Sequence, residues 1–494
     1  MGWTPNAAIP LLSSLCASPR LRNTLHAWSS LRRATSAWGW TSKVRFIHVV
    51  IDQLYASLTS TRLNAKFFEA GFGFETSKEY GDLPTFHESV DEMRALSAGR
   101  QGACEERGER GEISSMDVRI NMVKKLDVPA GVQIYEGSFD TPVPSTRKLL
   151  PSESKRAHVQ YVVPVGHATA AQSAVVHLAA TGDHGFSRRL LSYALPLATQ
   201  HNVASVILES PFYGVRRPSF QNRSKLKTLS DLLLLGKATI EESLYILRWL
   251  EENAMSKEGN AISGVSMGGV HACMVASMHS LDDRDGRGLA LVPLLAPRSA
   301  SEAYCRGALR VGTSWDGLQV RILWYWCFWW RGGWRPGQLA SPLAHLLICS
   351  LEPLATNHQR DFESRDMSKL LDRIEHDMRP GRILSAASQD SWRLLERLKQ
   401  AGEQDVPETH VLQLTELILN TYTDLTRFPP PLRADAAVVV GGSDDGYVGT
   451  QSVRDVGAHL AGSELRWVKG GHVSSFIMQH GSFVKAMADS LARL

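Results

Sequence analysis

Apolar positions along this chain change their period several times, and the changes predict its elements. In SAVVHLAA, VASVILES, NAISGVS, LALVPLLAP, AAVVVGG and LRWVKGG, short aliphatic and β-branched runs give way to Gly, Ser, Pro or Asp. Continuous apolar runs of that length read as strands buried on both faces. Between them the spacing becomes helical, over Leu229–Glu252, from Met267 onward, and in DMSKLLDRIEHDM, SWRLLERLKQAG and HVLQLTELILNTYTDL. VQIYEGSFDTP and AHVQYVVPV read as an early hairpin. Strands separated by helices predict a mostly parallel sheet covered on both faces, an α/β architecture. Ahead of all this, the mixed run over 51–74, IDQLYASLTSTRLNAKFFEAGFGF, predicts one amphipathic helix ending near Gly71 and Gly73.

Three stretches break the rhythm. Residues 77–112 are polar and close on AGRQGACEERGERGE, a surface loop or disordered insertion. Residues 356–428 are helical and separate the early strands from the last two, as a cap over the pocket or as packing. The segment 320–338 carries Trp324, Trp326, Trp329, Trp330 and Trp334 and is too short and too arginine-interrupted to span a bilayer. An aromatic membrane-surface patch is one reading of it. The favoured one is an intron retained in frame, because Gln319-Val320 and Gln338 can be encoded by splice-site-like codons.

Composition adds little and excludes something. Lys and Arg number 54 against 50 Asp and Glu, a net charge of +4 that gives no electrostatic case for nucleic acid. The six cysteines have neither metal spacing nor a paired framework. Residues 1–51 contain no acid at all, while Arg20, Arg22, Arg32, Arg33, Lys43 and Arg45 sit among Ser, Ala and Thr. That pattern predicts an organelle transit peptide over 1–45, mitochondrial or alternatively plastid, with a plain basic tail as the rival. The remaining 46–494 are expected to form one catalytic domain.

Candidate chemistry begins at Gly264-Val265-Ser266-Met267-Gly268. Chance places such a G-x-S-x-G in roughly one chain in six of this length, so the motif alone decides nothing. Its setting does: an apolar strand precedes it and a helix follows, as a nucleophile elbow requires, and the Met267 amide would then face a developing oxyanion. A serine hydroxyl needs a base. Among 17 histidines, His472 sits just beyond the last apolar strand, in KGGH, whereas His480 falls in a helical run without a preceding strand-to-loop transition. The base needs a carboxylate, and Asp444 and Asp445 both follow AAVVVGG. Spacing does not separate those two. The chain order Ser, Asp, His is the order of the α/β-hydrolase fold, which is the fold class expected.

Two loops complete the expectation. Ala180-Thr181-Gly182-Asp183-His184 follows SAVVHLAA; a backbone amide near Asp183 would be the second oxyanion donor, and Gly182 and His184 would touch substrate. Glu209-Ser210-Pro211-Phe212-Tyr213-Gly214 would shape the pocket floor, with Tyr213 against the substrate. Arg188-Arg189 and Arg216-Arg217 beside these loops read as solvated charges or as holders of an anionic head group.

The stretches IDQLYASLTSTRLNAKFF, VHLAATGDHGFSRRL, VILESPFYGVRRP, SKLKTLSDLLLLGKATIEESLYILRWLE, GVSMGG, VVVGGSDDGYVG and LRWVKGGHVSSF resemble the α/β-hydrolase domain-containing protein 18 family. The resemblance aligns the family's acid with Asp445, in Asp445-Gly446-Tyr447, and its serine and histidine with Ser266 and His472. The family has a proline where this chain has Gly449, and it has no counterpart to the Trp-rich segment. What the resemblance implies is acyl-ester hydrolysis without metal or organic cofactor, on a mitochondrial phospholipid such as cardiolipin. The expected partner is thus a small-molecule or lipid ester, with peripheral membrane contact. An acyltransferase using the same triad and a non-catalytic binding protein on the same scaffold are the rival readings.

Overall fold

The computed structural model describes residues 40–58, 65–73, 120–126, 131–165, 173–252, 259–282, 288–319, 366–379, 387–400 and 408–494. The transit peptide expected over 1–45 falls outside them except at its end, and the polar stretch 77–112 and the Trp-rich segment 320–338 fall outside entirely.

Nine strands form one sheet: β1 (Asn121–Leu126), β2 (Val132–Asp140), β3 (Arg156–Pro164), β4 (Ala174–Leu178), β5 (Ala204–Leu208), β6 (Asn260–Val265), β7 (Leu289–Leu294), β8 (Val438–Gly442) and β9 (Glu464–Val468). Their order is β1-β2-β3-β5-β4-β6-β7-β8-β9. The first three pair antiparallel, β3 meets β5 antiparallel, and every pair from β5 to β9 is parallel. The hairpin and the six apolar strands expected from the sequence are all present. β1, Asn-Met-Val-Lys-Lys-Leu, went unread because its two lysines and edge position leave no apolar alternation.

The principal helices are α1 (Trp40–Leu58), α2 (Leu229–Glu252), α3 (Met267–Asp282), α4 (Asp366–Met378), α5 (Gln389–Gln400), α6 (Glu408–Thr423), α7 (Thr450–His459), α8 (His472–Met478) and α9 (His480–Leu491). Strands β4 to β8 are buried throughout because helices close both faces. α2 and α3 pack on one side, and α9 lies against β6, β7 and β8. The three helices read over 356–428 are α4, α5 and α6.

One expected element is corrected. The helix expected over 51–74 is α1, ending at Leu58, and 65–73 is not helical. Phe67 forms a bridge to Thr313, and Phe68 takes φ +64 with its amide bonded to the Leu226 carbonyl. Both phenyl rings are buried against Tyr304. Burying two aromatic rings is worth several kcal/mol, more than the modest helical preference of so short a run.

β4 and β6 are neighbours, but the chain leaves β4 toward β5 on one side and β6 toward β7 on the other. Loops after β4 and β6 therefore diverge and open a crevice at the carboxyl edge of the sheet. The strands end at one level: Leu178 pairs with Gly264, Val265 with Leu294, Leu294 with Val440, and Gly442 with Val468.

Candidate active site

Ser266 sits alone between β6 and α3 with φ +55, in the left-handed region that a side chain rarely occupies. Its amide donates to the Leu294 carbonyl at 2.8 Å, and its carbonyl accepts from Gly269 and Val270 in the first turn of α3. The turn is possible only with small neighbours. A methyl on Gly264 would lie 2.3 Å from the Gly268 carbonyl carbon, and one on Gly268 would lie 2.7 Å from both the Leu178 and Ala179 carbonyl oxygens. These are backbone atoms of β4's end and of α3's first turn, which cannot swing aside as a side chain could. Gly268→Ala is therefore expected to destabilise the fold by about 1–3 kcal/mol, read as a lower urea midpoint, with loss of any Ser266 reactivity.

Three strands away, beyond β9, His472 opens α8, and its Nδ1 bonds Oδ2 of Asp445, which follows β8, at 2.7 Å. The Asp445 side chain is fully buried. Its other oxygen accepts from the Tyr447 and Val448 amides, both at 2.8 Å, so the carboxylate has one orientation. Asp444 instead accepts from the Ser443 hydroxyl and donates its amide to the Gly470 carbonyl. The pair that spacing left open is thus separated: Asp444 is the turn residue and Asp445 faces the imidazole. Tyr447 stacks on the His472 ring, with centroids 4.8 Å apart and planes 24° apart. Burial opposes charge on His472, but Asp445, by its field and its hydrogen bond, and Asp52 outweigh it and hold the pKa above the ordinary histidine value.

Asp52, which nothing in the sequence singled out, reaches this pair from α1. It accepts from the Gly446, His472 and Val473 amides. Two weak signals were available: it is the first acidic residue of the chain, ending the acid-free run, and it lies in IDQLYASLTSTRLNAKFF, a stretch that resembles the family. Gly449 has φ −60 and open space around its α-carbon, a conformation proline shares, so the departure from the family pattern leaves the loop shape intact.

The loops after β4 and β5 differ from expectation. The Asp183 amide donates to the Ala180 carbonyl at 3.0 Å, closing a turn, so it is not available as the second oxyanion donor. Its carboxylate pairs with Arg189 at 2.8 Å. Gly182 is a turn glycine at φ +79 beside Ser224. His184 is exposed; its Nδ1 accepts the Gly214 amide and its ring meets Tyr213 edge-on, which ties the two loops together. Tyr213 is fully buried and supports the loops from beneath. Neither reading of the arginine pairs holds for Arg189 and Arg216. Both are buried: Arg189 against Asp183, Arg216 forked onto Glu242 at 2.6 and 2.8 Å. Each also bonds backbone carbonyls, so these cations pin the loops and leave no charge for a head group. No group of His, Cys, Asp or Glu among the described residues is placed to hold a metal ion, and no described helix is long and apolar enough to cross a membrane.

Strand order, elbow and the carboxylate–imidazole pair at one sheet edge define an α/β-hydrolase. The profile of the family described as alpha/beta hydrolase domain containing 18 matches residues 65–493, and the chain belongs to that family. Among solved structures, the acetyl xylan esterase from Paenibacillus sp. R4 is 13% identical, with 81% of this chain and 94% of that one covered and a TM-score of 0.38. The rice cell wall degrading esterase LipA from Xanthomonas oryzae is 14% identical over 72% of this chain and 89% of its own, with a TM-score of 0.36.

Proposed function

We propose that the protein is a serine hydrolase that cleaves an acyl ester through an acyl-enzyme. With a proton on Nδ1 donated to Asp445, His472 Nε2 keeps its lone pair and takes the Ser266 proton as Oγ attacks the ester carbonyl. The Met267 amide at the start of α3 stabilises the oxyanion. His472 then protonates the departing alcohol and activates water to release the acid. The observation that carries this reading is the 2.7 Å bond from His472 to a fully buried, doubly anchored Asp445, at the sheet edge where Ser266 is held in the left-handed conformation.

Within that reading the favoured substrate is a lipid ester. Ile47, Ile51, Leu54 and Leu58 follow one another at helical spacing on α1 and are exposed, as are Ile477 and Met478 on α8, which packs against α1. Such an apolar rim suits a substrate presented by a lipid surface. A mitochondrial location, with plastid as the alternative, goes with this proposal and is tested by imaging a carboxyl-terminal fusion.

Fluorophosphonate labelling of the full chain tests the core of it, followed by a panel of acyl esters and phospholipids. Labelling that depends on Ser266 supports the reading. A folded protein that never labels sinks it in favour of a binding role. Because a neutral imidazole is the active base, the raised His472 pKa places the rising limb of kcat/KM above about pH 6.5, the ordinary histidine value. The same shift means that protonated His472 stabilises the fold fully below about pH 6.5, a contribution that fades as pH rises through the raised value. A pH profile already flat below pH 6 would contradict the assignment of the base.

A further inference from the structure

We infer that Asp52 is a positioning residue for the His472–Asp445 pair, which makes α1 a working part of the active site. The inference rests on the reading of His472 as the base. Asp52 is fully buried and lies 420 residues before the histidine whose amide it takes. Oδ2 accepts the His472 amide at 2.7 Å and the Gly446 amide at 2.9 Å; Oδ1 accepts the Val473 amide at 2.9 Å. One carboxylate therefore joins the backbone of the base to the residue directly after the acid. Any sliding of one loop past the other breaks at least one of these bonds.

A helix start usually receives such bonds from its own cap residue, where Ser, Thr, Asp or Asn serves well. Here the cap position is Gly471, which has no side chain to offer. The glycine is required by α1: a methyl there would lie 2.6 Å from Asp52 Oδ2 and 3.0 Å from the His48 carbonyl oxygen. Gly446 is similar, since its methyl would fall 3.1 Å from the Asp52 β-carbon. The loops carrying acid and base are thus both trimmed to admit α1. One turn earlier His48 Nδ1 meets the Ser474 hydroxyl at 3.1 Å, and one turn later Ala56 is buried, so His48, Asp52 and Ala56 form the inward face.

Asp52 also sets charge. Facing the imidazole are Asp445 on Nδ1, the Tyr447 ring, and Asp52 beneath the backbone; from α1, Tyr55 lies near Tyr447 and His48 near Ser474. Burial raises the pKa of Asp52, while its three amide donors favour the ionised form. An ionised Asp52 favours imidazolium, the species formed when His472 takes the serine proton.

The test uses the full chain with Asp52→Asn, and Asp52→Ser should the extra amide of Asn prevent folding. Two quantities are read: the fluorophosphonate labelling rate of Ser266 against pH, and the titration of the His472 ring by NMR, assigned through the resonance missing from His472→Gln. We expect labelling near neutral pH to slow roughly 10- to 100-fold, the loss of hydrogen bonds to a charged group. The rising limb and the ring titration should both move to lower pH as the negative charge goes. Slower labelling with an unmoved limb and ring titration would overturn the inference and leave Asp52 a structural cap. If the wild type never labels, the hydrolase reading falls first. The ring titration still decides on Asp52, because an unshifted His472 in the variant overturns its role whether or not the serine reacts.

Discussion

Ser266→Ala is expected to abolish fluorophosphonate labelling and to lower ester turnover about 10⁶-fold, to the level left by binding and the oxyanion donors alone. The size follows from the division of labour at the elbow. Oxygen nucleophile and base act as a unit, so removing one leaves the other with no proton to move. The fold should barely respond, because the Ser266 amide and carbonyl keep their bonds to Leu294, Gly269 and Val270. Ser266→Gly should lose the same activity and gain about 1 kcal/mol of stability, since glycine adopts φ +55 without strain. Urea unfolding of the three proteins in parallel checks this. A Gly variant no more stable than wild type would mean that the turn is not strained by its side chain.

Asp445→Asn is the second large effect, with turnover expected to fall about 10⁴-fold while Asp444→Asn stays within a few-fold of wild type. An asparagine at 445 can present its amide nitrogen to His472 Nδ1 and so stabilise the tautomer with the proton on Nε2, the nitrogen that must be free. It also removes the charge that favours imidazolium, so the rising limb should move to lower pH. Asp444 bonds the Ser443 hydroxyl and the Gly470 carbonyl in its turn, whereas His472 Nδ1 is held by Asp445. Steady-state kinetics of the two variants on one chromogenic ester separates them. Equal losses would mean that the acid loop rearranges in the working enzyme.

Much of this site was legible before any coordinates. Gly264, Ser266 and Gly268 lie within five consecutive residues, and the tight turn they make is a local matter that sequence spacing records. His472 was legible for a related reason: Ser266, Asp445 and His472 each follow a strand that is apolar enough to recognise. Asp445 over Asp444 was different. Both follow the same strand, and only the comparison with a family pattern, then the direction of the carboxylate, told them apart.

Long-range partners were not legible. Arg189 and Arg216 looked like surface charge because nothing in the sequence announces that they will be buried, the first against nearby Asp183 and the second against distant Glu242. The Asp183 amide looked like an oxyanion donor because its loop follows a strand, yet whether an amide points outward or closes a turn depends on a rotation of one peptide plane. Residues 65–73 looked helical because Phe67 and Phe68 have helical spacing to earlier apolar residues; their burial against Tyr304 overrides it.

By itself, then, the sequence determined what depends on neighbours along the chain: the strands, the helices after them, the strained serine turn, and the order in which Ser266, Asp445 and His472 follow their strands. Local sterics and hydrophobic periodicity act over a few residues, so they leave a readable pattern. Tertiary structure alone showed the carboxylate that bonds the imidazole, which arginines are buried, and that Asp52, 420 residues upstream, holds the backbone of His472. Those outcomes depend on burial and on hydrogen bonds between distant segments, whose energies exist only once the sheet has brought the segments together.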